Sequence, residues 1–159
     1  MSSGIFGLTF AAALGCGLAA GVFFAFSAFI MDGLDRLPPA QGIAAMQSIN
    51  LTAPTPVFMT ALFGTALLCA ALAIWSLFHL GERRAAFVLA GSAIYLIGAI
   101  GLTIVHHVPM NDALAAVDPG AGGAATEWRH YMDGWTAWNH VRGAASLGAA
   151  AAFTAALAA

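Results

Sequence analysis

Residues 5–31 read IFGLTFAAALGCGLAAGVFFAFSAFIM, a run without a single charged side chain. A helix needs roughly 20 apolar residues to cross a hydrocarbon core about 30 Å thick. The run is long enough for that. It therefore predicts a membrane-spanning helix rather than the buried helix of a water-soluble domain.

Three further apolar runs follow, and with them we expect spans at about residues 5–31, 57–80, 85–106 and 136–158. The whole chain is 61% hydrophobic and 8% charged, whereas about 25% of the residues in soluble domains are charged. Lipid must replace water over most of such a surface. The predicted fold class is an all-α membrane protein, a four-transmembrane-helix bundle that forms one domain over residues 1–159.

The connections between the spans differ in length. The second and third spans are joined by a tight hairpin at residues 81–84, whereas residues 32–56 and 106–135 form long connections. In an up-down-up-down bundle both long connections lie on the same side of the membrane. Pro38 and Pro39 suit the first turn of a helix, and a segment from Val108 to Leu114 is also compatible with one. We expect a short interfacial helix in each long connection.

The charged residues indicate where the protein is located and which partners we expect. Arg83 and Arg84 favour a cytoplasmic position for the short hairpin. Both termini would then lie on the cytoplasmic side of a bacterial inner membrane. A formal net charge of −2 argues against a nucleic-acid partner. The expected partners are the lipid bilayer and a lipophilic small molecule, and the sequence leaves the oligomeric state open.

The segment 126–142 carries the strongest candidate for chemistry. If it is helical, spacings of three and four place its aromatic residues and two polar ones on one stripe, namely Trp128, Tyr131, Trp135, Trp138, Asn139 and Arg142. A belt of aromatic residues at the membrane surface is the simpler explanation for Trp128 and Tyr131. It does not account for Asn139 and Arg142, because an arginine inside the membrane is costly unless it has partners. We therefore expect an inward-facing polar cluster.

A second polar group lies at the end of the third span, on the same side of the membrane. It contains His106, His107, Asn111 and Asp112, and Asn50 from the first long connection joins it. Phe26 belongs to an aromatic run at the end of the first span. A pocket with aromatic walls and a few polar groups is the usual composition of a small-molecule site.

No cofactor is predicted from these residues. Standard metal-binding spacings are absent, so the expected metal set is none. If a metal were present, His106, His107 and His140 would be its candidate ligands, with copper or iron favoured, and a haem stays open as an alternative.

Four motifs give the chain a resemblance to the anthrone-oxygenase-like family of small four-helix membrane proteins. They are Phe23-Phe24-Ala25-Phe26-Ser27, Ala45-Met46-Gln47-Ser48-Ile49-Asn50, Val108-Pro109-Met110-Asn111 and Trp135-Thr136-Ala137-Trp138-Asn139-His140-Val141-Arg142. The resemblance covers nearly the whole chain. Many bacterial members of this family were long described as a domain of unknown function. The chain departs from the family's motif at one position, where it has His107 and relatives often have asparagine.

The resemblance implies a cofactor-independent oxygenase that oxidises a lipophilic aromatic substrate with dioxygen, as fungal members convert anthrones to anthraquinones. In that interpretation His107 or His140 is the general base and Arg142 stabilises the oxyanion, so these three are the expected catalytic residues. Asn139 and Asn111 would assist, and the tryptophans would stack on the flat substrate. Two alternatives stay open, a non-catalytic protein that binds a lipophilic ligand, haem or metal, and a structural partner subunit.

Overall fold

The computed structural model describes residues 2–159, and these fold into five helices without a strand. They are α1 (Ser3–Asp35), α2 (Pro39–Thr52), α3 (Pro56–Leu77), α4 (Arg83–Ala115) and α5 (Ala124–Ala158). All except α2 are long and apolar enough to cross a membrane. The predicted fold class, an all-α bundle with four candidate transmembrane helices, is confirmed.

The four long helices form one bundle. α5 packs between α1 and α4, while α3 packs against both α4 and α1. Three of the long helices extend well beyond the expected spans, because α1 continues to Asp35, α4 continues to Ala115 and α5 already begins at Ala124. These extensions project from the same end of the bundle and place polar residues there on rigid helices.

The extensions pack with α2 into a cap over that end of the bundle. α2 begins with Pro39, whose missing N–H would have had no partner in the first turn anyway. Ile43 and Met46 of α2 are fully buried in a cluster with Trp128 and Tyr131 of α5. The Gln47 amide donates to the carbonyls of residues 114 and 117, at 2.9 Å each. It thereby bonds carbonyls at and just beyond the end of α4, and it fixes one long connection to the other.

The segment from Val108 to Leu114 is helical as expected, and it continues α4. Pro109 does not end the helix, and it lies two residues after a π-helical turn at Thr103–His107. A proline lacks the N–H that an α-helical hydrogen bond needs, and a wide turn tolerates that loss more easily than regular α-helix.

π-Helical turns recur in three of the long helices. They lie at Phe26–Ile30 in α1, at Thr60–Gly64 in α3, and at Leu96–Gly101 and Thr103–His107 in α4. Such turns are rare and often occur at functional sites. Three of the four turns border one cavity, and the turn at Leu96–Gly101 does not.

Candidate functional site

A cavity of about 240 Å³ lies between the bundle and its cap, and we call it the inner cavity. Three polar side chains reach it from separate elements, Asn50 from α2, His107 from α4 and Arg142 from α5. The other polar lining residues are Thr103 and Asn111. The apolar lining residues are Val22, Phe23, Phe26, Met46, Ile49, Ala53, Pro54, Phe58, Met59, Leu62, Phe63, Val108 and Trp135.

Arg142 is the most unusual residue of the inner cavity, because it is a cation that is only 6% exposed. No carboxylate of the described residues lies within salt-bridge distance of it. Its guanidinium donates from Nη1 to the Thr103 hydroxyl at 3.1 Å and from Nη2 to the Asn139 carbonyl oxygen at 2.6 Å. A guanidinium carries five N–H bonds. Two are used here, and of the other three the one on Nε is buried without a partner among residues 2–159.

Aromatic rings hold the guanidinium in place. Its Cζ lies 4.2 Å from the centre of the Phe23 ring and 5.4 Å from that of Trp135. The negative faces of aromatic rings attract a cation, and this contributes up to about 2 kcal/mol when the pair is shielded from water. The rings reduce the cost of burying the charge without neutralising it. A positive charge without a counter-ion therefore borders the inner cavity.

Asn139 positions Arg142 and ties α5 to α1. Its Nδ2 donates to the Phe23 carbonyl and to the Ser27 hydroxyl, both at 2.7 Å, and its carbonyl oxygen accepts from Arg142. Both amide N–H bonds and the amide oxygen are thus engaged, and the side chain is fully buried. The structure gives Asn139 the geometry of a support for Arg142 and leaves it no free N–H for a substrate.

His107 has the geometry of a base. It is 1% exposed, and its Nδ1 lies 3.2 Å from the Leu102 carbonyl oxygen. A carbonyl only accepts hydrogen bonds, so Nδ1 carries the proton and, in the neutral ring, Nε2 carries the lone pair. Within residues 2–159, Nε2 has no hydrogen-bond partner. The ring stands edge-on to Trp135, with 5.1 Å between ring centres. His107 and Arg142 therefore contact the same indole.

Asn111 is held by two donors of α5. Its carbonyl oxygen accepts from the Tyr131 hydroxyl at 2.8 Å and from the Trp135 indole nitrogen at 3.0 Å. An indole N–H only donates, so the orientation of the Asn111 amide is fixed with the oxygen toward α5. The amide nitrogen is then directed away from these donors and can donate to a ligand.

The π-helical turns explain part of this arrangement. A turn with i→i+5 bonds interrupts the regular α-helical pattern, so a nearby carbonyl can accept from a side chain. Next to such turns, Phe23 accepts from Asn139, Leu62 accepts from the Tyr95 hydroxyl at 3.1 Å, and Leu102 lies beside His107. Buried polar side chains thus fix the shape of the helices around the inner cavity.

The expected site residues divide into three groups in the structure. Six of them line the inner cavity, and these are Phe26, Asn50, His107, Asn111, Trp135 and Arg142. Trp128, Tyr131 and Asn139 are buried behind the wall, where Tyr131 and Asn139 hold lining residues and Trp128 packs in the cap.

Trp138 and His140 lie outside the inner cavity. Trp138 is 39% exposed and stacks on His106, with ring centres 4.3 Å apart. The buried stripe of α5 continues from Trp135 through Asn139, which donates to the Phe23 carbonyl of α1, whereas Trp138 turns toward His106 of α4. His140 is exposed in a separate groove between α1 and α5. His107 is therefore the histidine that the structure places at the inner cavity.

The histidines are not grouped as metal ligands would be. His106 faces Trp138, His107 faces the inner cavity, and His140 faces the groove on the other side of α5. Among residues 2–159, no group of three or more histidine, cysteine, aspartate or glutamate side chains could hold a metal ion.

Sequence reasoning missed the contribution of α3 and of Thr103. Phe58, Met59, Leu62 and Phe63 form one wall of the inner cavity, but in the sequence they are part of an unbroken apolar run. Among these residues, only Thr103 has a sequence feature that could have indicated a site. It is a polar residue inside an apolar span, four residues before His107.

The chemistry available to the inner cavity follows from these contacts. It offers an uncharged base in His107, a positive charge with free donors in Arg142, and aromatic surfaces for a flat molecule. A negative charge that develops on a bound ligand would be stabilised there, because no carboxylate of the described residues competes for the guanidinium.

Comparison with known proteins agrees with this arrangement. The family model described as anthrone oxygenase matches residues 56–152. That region includes α3, α4 and most of α5, and it contains His107, Asn111, Trp135 and Arg142. No curated protein and no solved structure matches the chain.

Proposed function

The chain belongs to the anthrone oxygenase family, and on that premise we propose that it is a membrane-bound oxygenase that uses dioxygen to oxidise an anthrone-like substrate. The substrate class is a flat, lipophilic aromatic ketone with an acidic C–H opposite its carbonyl. The observation that supports the proposal most strongly is the pairing of a free imidazole nitrogen with an arginine that lacks a counter-ion at one cavity.

The first step is removal of a proton. His107 Nε2 takes one hydrogen of the methylene carbon as a proton, and the electron pair of that C–H bond spreads to the carbonyl oxygen of the substrate. The N–H bonds of Arg142 and of the Asn111 amide stabilise this oxyanion. These hydrogen bonds are stronger to the oxyanion than to the neutral ketone, so they lower the reaction barrier more than they strengthen substrate binding.

Dioxygen then completes the oxidation. The carbanion reduces dioxygen and forms a C–O bond, and the His107 imidazolium returns its proton to give a hydroperoxide. Loss of the second methylene proton breaks the O–O bond, forms the new carbonyl, and releases the outer oxygen as hydroxide, which the proton converts to water. The balance is one anthrone and one dioxygen giving one anthraquinone and one water. No added cofactor enters this balance.

The size of the inner cavity sets a condition on the substrate. Its volume of about 240 Å³ is below the roughly 300–1,000 Å³ common for drug-sized ligands. A three-ring molecule is small and flat, and it would lie between Phe26 and Trp135, whose ring centres are 5.6 Å apart at an angle of 50°. Binding then requires these two rings to turn toward parallel and to separate to roughly 7 Å, since each face of the ligand needs a carbon–carbon contact of about 3.5 Å.

Turnover in vesicles tests the proposal. The purified protein is reconstituted in lipid, an anthrone is added, and anthraquinone formation and dioxygen uptake are recorded together. We expect a protein-dependent rate with one dioxygen used per anthraquinone, and oxygen from ¹⁸O₂ in the new carbonyl. Tight binding of the anthrone with no rate above the protein-free control would overturn the enzyme proposal and favour a non-catalytic ligand-binding protein.

For the membrane orientation we propose that the α3–α4 hairpin faces the cytoplasm. Arg83 and Arg84 support this, since short cytoplasmic loops are rich in arginine and lysine. Cys16 and Cys69 are fully buried, so a Gly81→Cys variant carries the one thiol within reach of a membrane-impermeant reagent among the described residues. We expect labelling in inverted membrane vesicles and none in intact cells; the opposite pattern would reverse the orientation.

A further inference from the structure

The inner cavity adjoins two other hollows, one on each side. Toward the cap it shares Asn50, Pro54, Val108 and Asn111 with an outer hollow of about 480 Å³. Toward the side of the bundle it shares Val22, Phe58 and Leu62 with a groove of about 190 Å³ between α1 and α3, which we call the α1–α3 groove. In each direction a single layer of side chains separates the inner cavity from the outside.

The two hollows differ in chemistry. The outer hollow is lined by the polar side chains of Gln47, Asn50, Asn111 and Asp112. The α1–α3 groove carries no charged side chain, and its outermost residues Leu18 and Val57 are 59% and 82% exposed. These residues lie on the apolar surface of the bundle. The α1–α3 groove is therefore open to the hydrocarbon, whereas the outer hollow is open to the membrane boundary.

The wall beside the α1–α3 groove is built from irregular backbone. α3 begins at Pro56, and only four α-helical residues precede its π-helical turn at Thr60–Gly64. Phe58 and Leu62, the two wall residues of α3, lie on either side of the start of this turn. A wide turn weakens the regular hydrogen bonding of a helix, so the wall can shift at lower cost here than in a regular α-helix.

We propose that the substrate reaches the inner cavity sideways from the bilayer, through the α1–α3 groove and past Val22, Phe58 and Leu62. This inference rests on the proposed function, since a lipophilic ketone is concentrated in the hydrocarbon and not in water. The outer hollow serves the polar species, namely the water that is released. Asp112 repels an anion there, which keeps the deprotonated substrate beside Arg142.

A binding experiment without turnover tests the access route. The probe is unsubstituted anthraquinone, which does not react with dioxygen, dissolved in the lipid of vesicles that are mixed with protein-containing vesicles. Its absorption overlaps indole emission, so occupation of the inner cavity quenches Trp135. The amplitude of quenching reports equilibrium binding, and its rate reports access.

Two variants narrow the α1–α3 groove without altering the lining of the inner cavity, Ala61→Phe on α3 and Leu18→Phe on α1. We expect either one to slow quenching about tenfold or more while the amplitude stays unchanged. Ala71→Phe, at an exposed α3 position away from the groove, is the matched control and should have the wild-type rate. Leu18→Ala removes atoms from the groove, so it widens the groove without a steric clash. We expect this variant to increase the rate of quenching.

The outcomes separate the two proposals. Unchanged rates in the groove variants, or slow quenching in Ala115→Phe at the outer hollow instead, would overturn the sideways route and leave the proposed function intact. Absence of quenching in the wild-type protein would show that the inner cavity does not take a three-ring ligand. That result would overturn the proposed function, and the route with it.

Discussion

Replacing Arg142 with methionine should separate activity from stability. The side chain lines the inner cavity, uses two of its five N–H bonds within the protein, and has no carboxylate partner in the described residues. Removing a single donor from an oxyanion site typically lowers kcat about 10²- to 10³-fold, which corresponds to about 2.7–4 kcal/mol in the barrier. We expect a loss of at least that size for Arg142→Met.

Stability should change much less, because the contributions oppose each other. Removal of a charge from a membrane-embedded helix gains about 2.5–3.5 kcal/mol. Loss of the contacts with Phe23 and Trp135 costs about 2 kcal/mol, and the Asn139 carbonyl oxygen left without its donor costs about 1–3 kcal/mol. These terms largely offset each other, so the free energy of unfolding should change by less than about 3 kcal/mol.

The assay compares anthrone oxidation in vesicles with thermal unfolding in detergent for wild type, Arg142→Met and Arg142→Lys. Lysine keeps the charge but lacks the fork that bonds Thr103 and Asn139 at the same time, so its activity should lie between the other two. Wild-type turnover by Arg142→Met would refute the role of the guanidinium. A collapse of stability with unchanged turnover per folded molecule would show that Arg142 serves the fold instead.

Two further predictions concern the fold around the inner cavity. Asn111→Leu leaves the donors of Tyr131 and Trp135 without an acceptor, at about 1–3 kcal/mol each, whereas Tyr131→Phe loses one hydrogen bond worth about 1 kcal/mol. Thermal unfolding should therefore rank Asn111→Leu as the less stable variant, and the reverse order would contradict the network. A Cβ on Gly98 would lie 2.5 Å from the Cβ of an α5 alanine, whereas one on Gly17 would have no neighbour within 4 Å. Gly98→Ala should cost about 1–3 kcal/mol and Gly17→Ala close to nothing; equal unfolding temperatures would mean that α4 and α5 are not so closely packed.

Much of the fold could be predicted from the sequence, because a bilayer imposes strong constraints on length and polarity. Four apolar runs gave the four long helices, and counting crossings placed both long connections at one end. The polar stripe of α5 could also be predicted, since spacings of three and four put Trp135, Asn139 and Arg142 on one face. The structure shows that face fully buried.

The finer features depend on contacts between distant residues, which spacing does not encode. The π-helical turns leave no mark in an apolar run, so neither the shape of α3 nor its part in the inner cavity could be predicted. Periodicity alone also did not separate Trp138 from Asn139, which are neighbours in sequence. The packing of α5 against α1 decides between them, because only Asn139 meets the Phe23 carbonyl.

The most direct test of the account compares two neighbouring histidines. His107 lines the inner cavity, and its buried Nε2 has no hydrogen-bond partner among residues 2–159, whereas His106 is half-buried on the other side, against Trp138. A general base contributes about 10²- to 10⁴-fold to the rate. In reconstituted vesicles, His107→Gln should lose anthrone oxidation by about that factor, and His106→Gln should retain the wild-type rate. Equal rates for both variants, or a loss confined to His106→Gln, would contradict chemistry at the inner cavity.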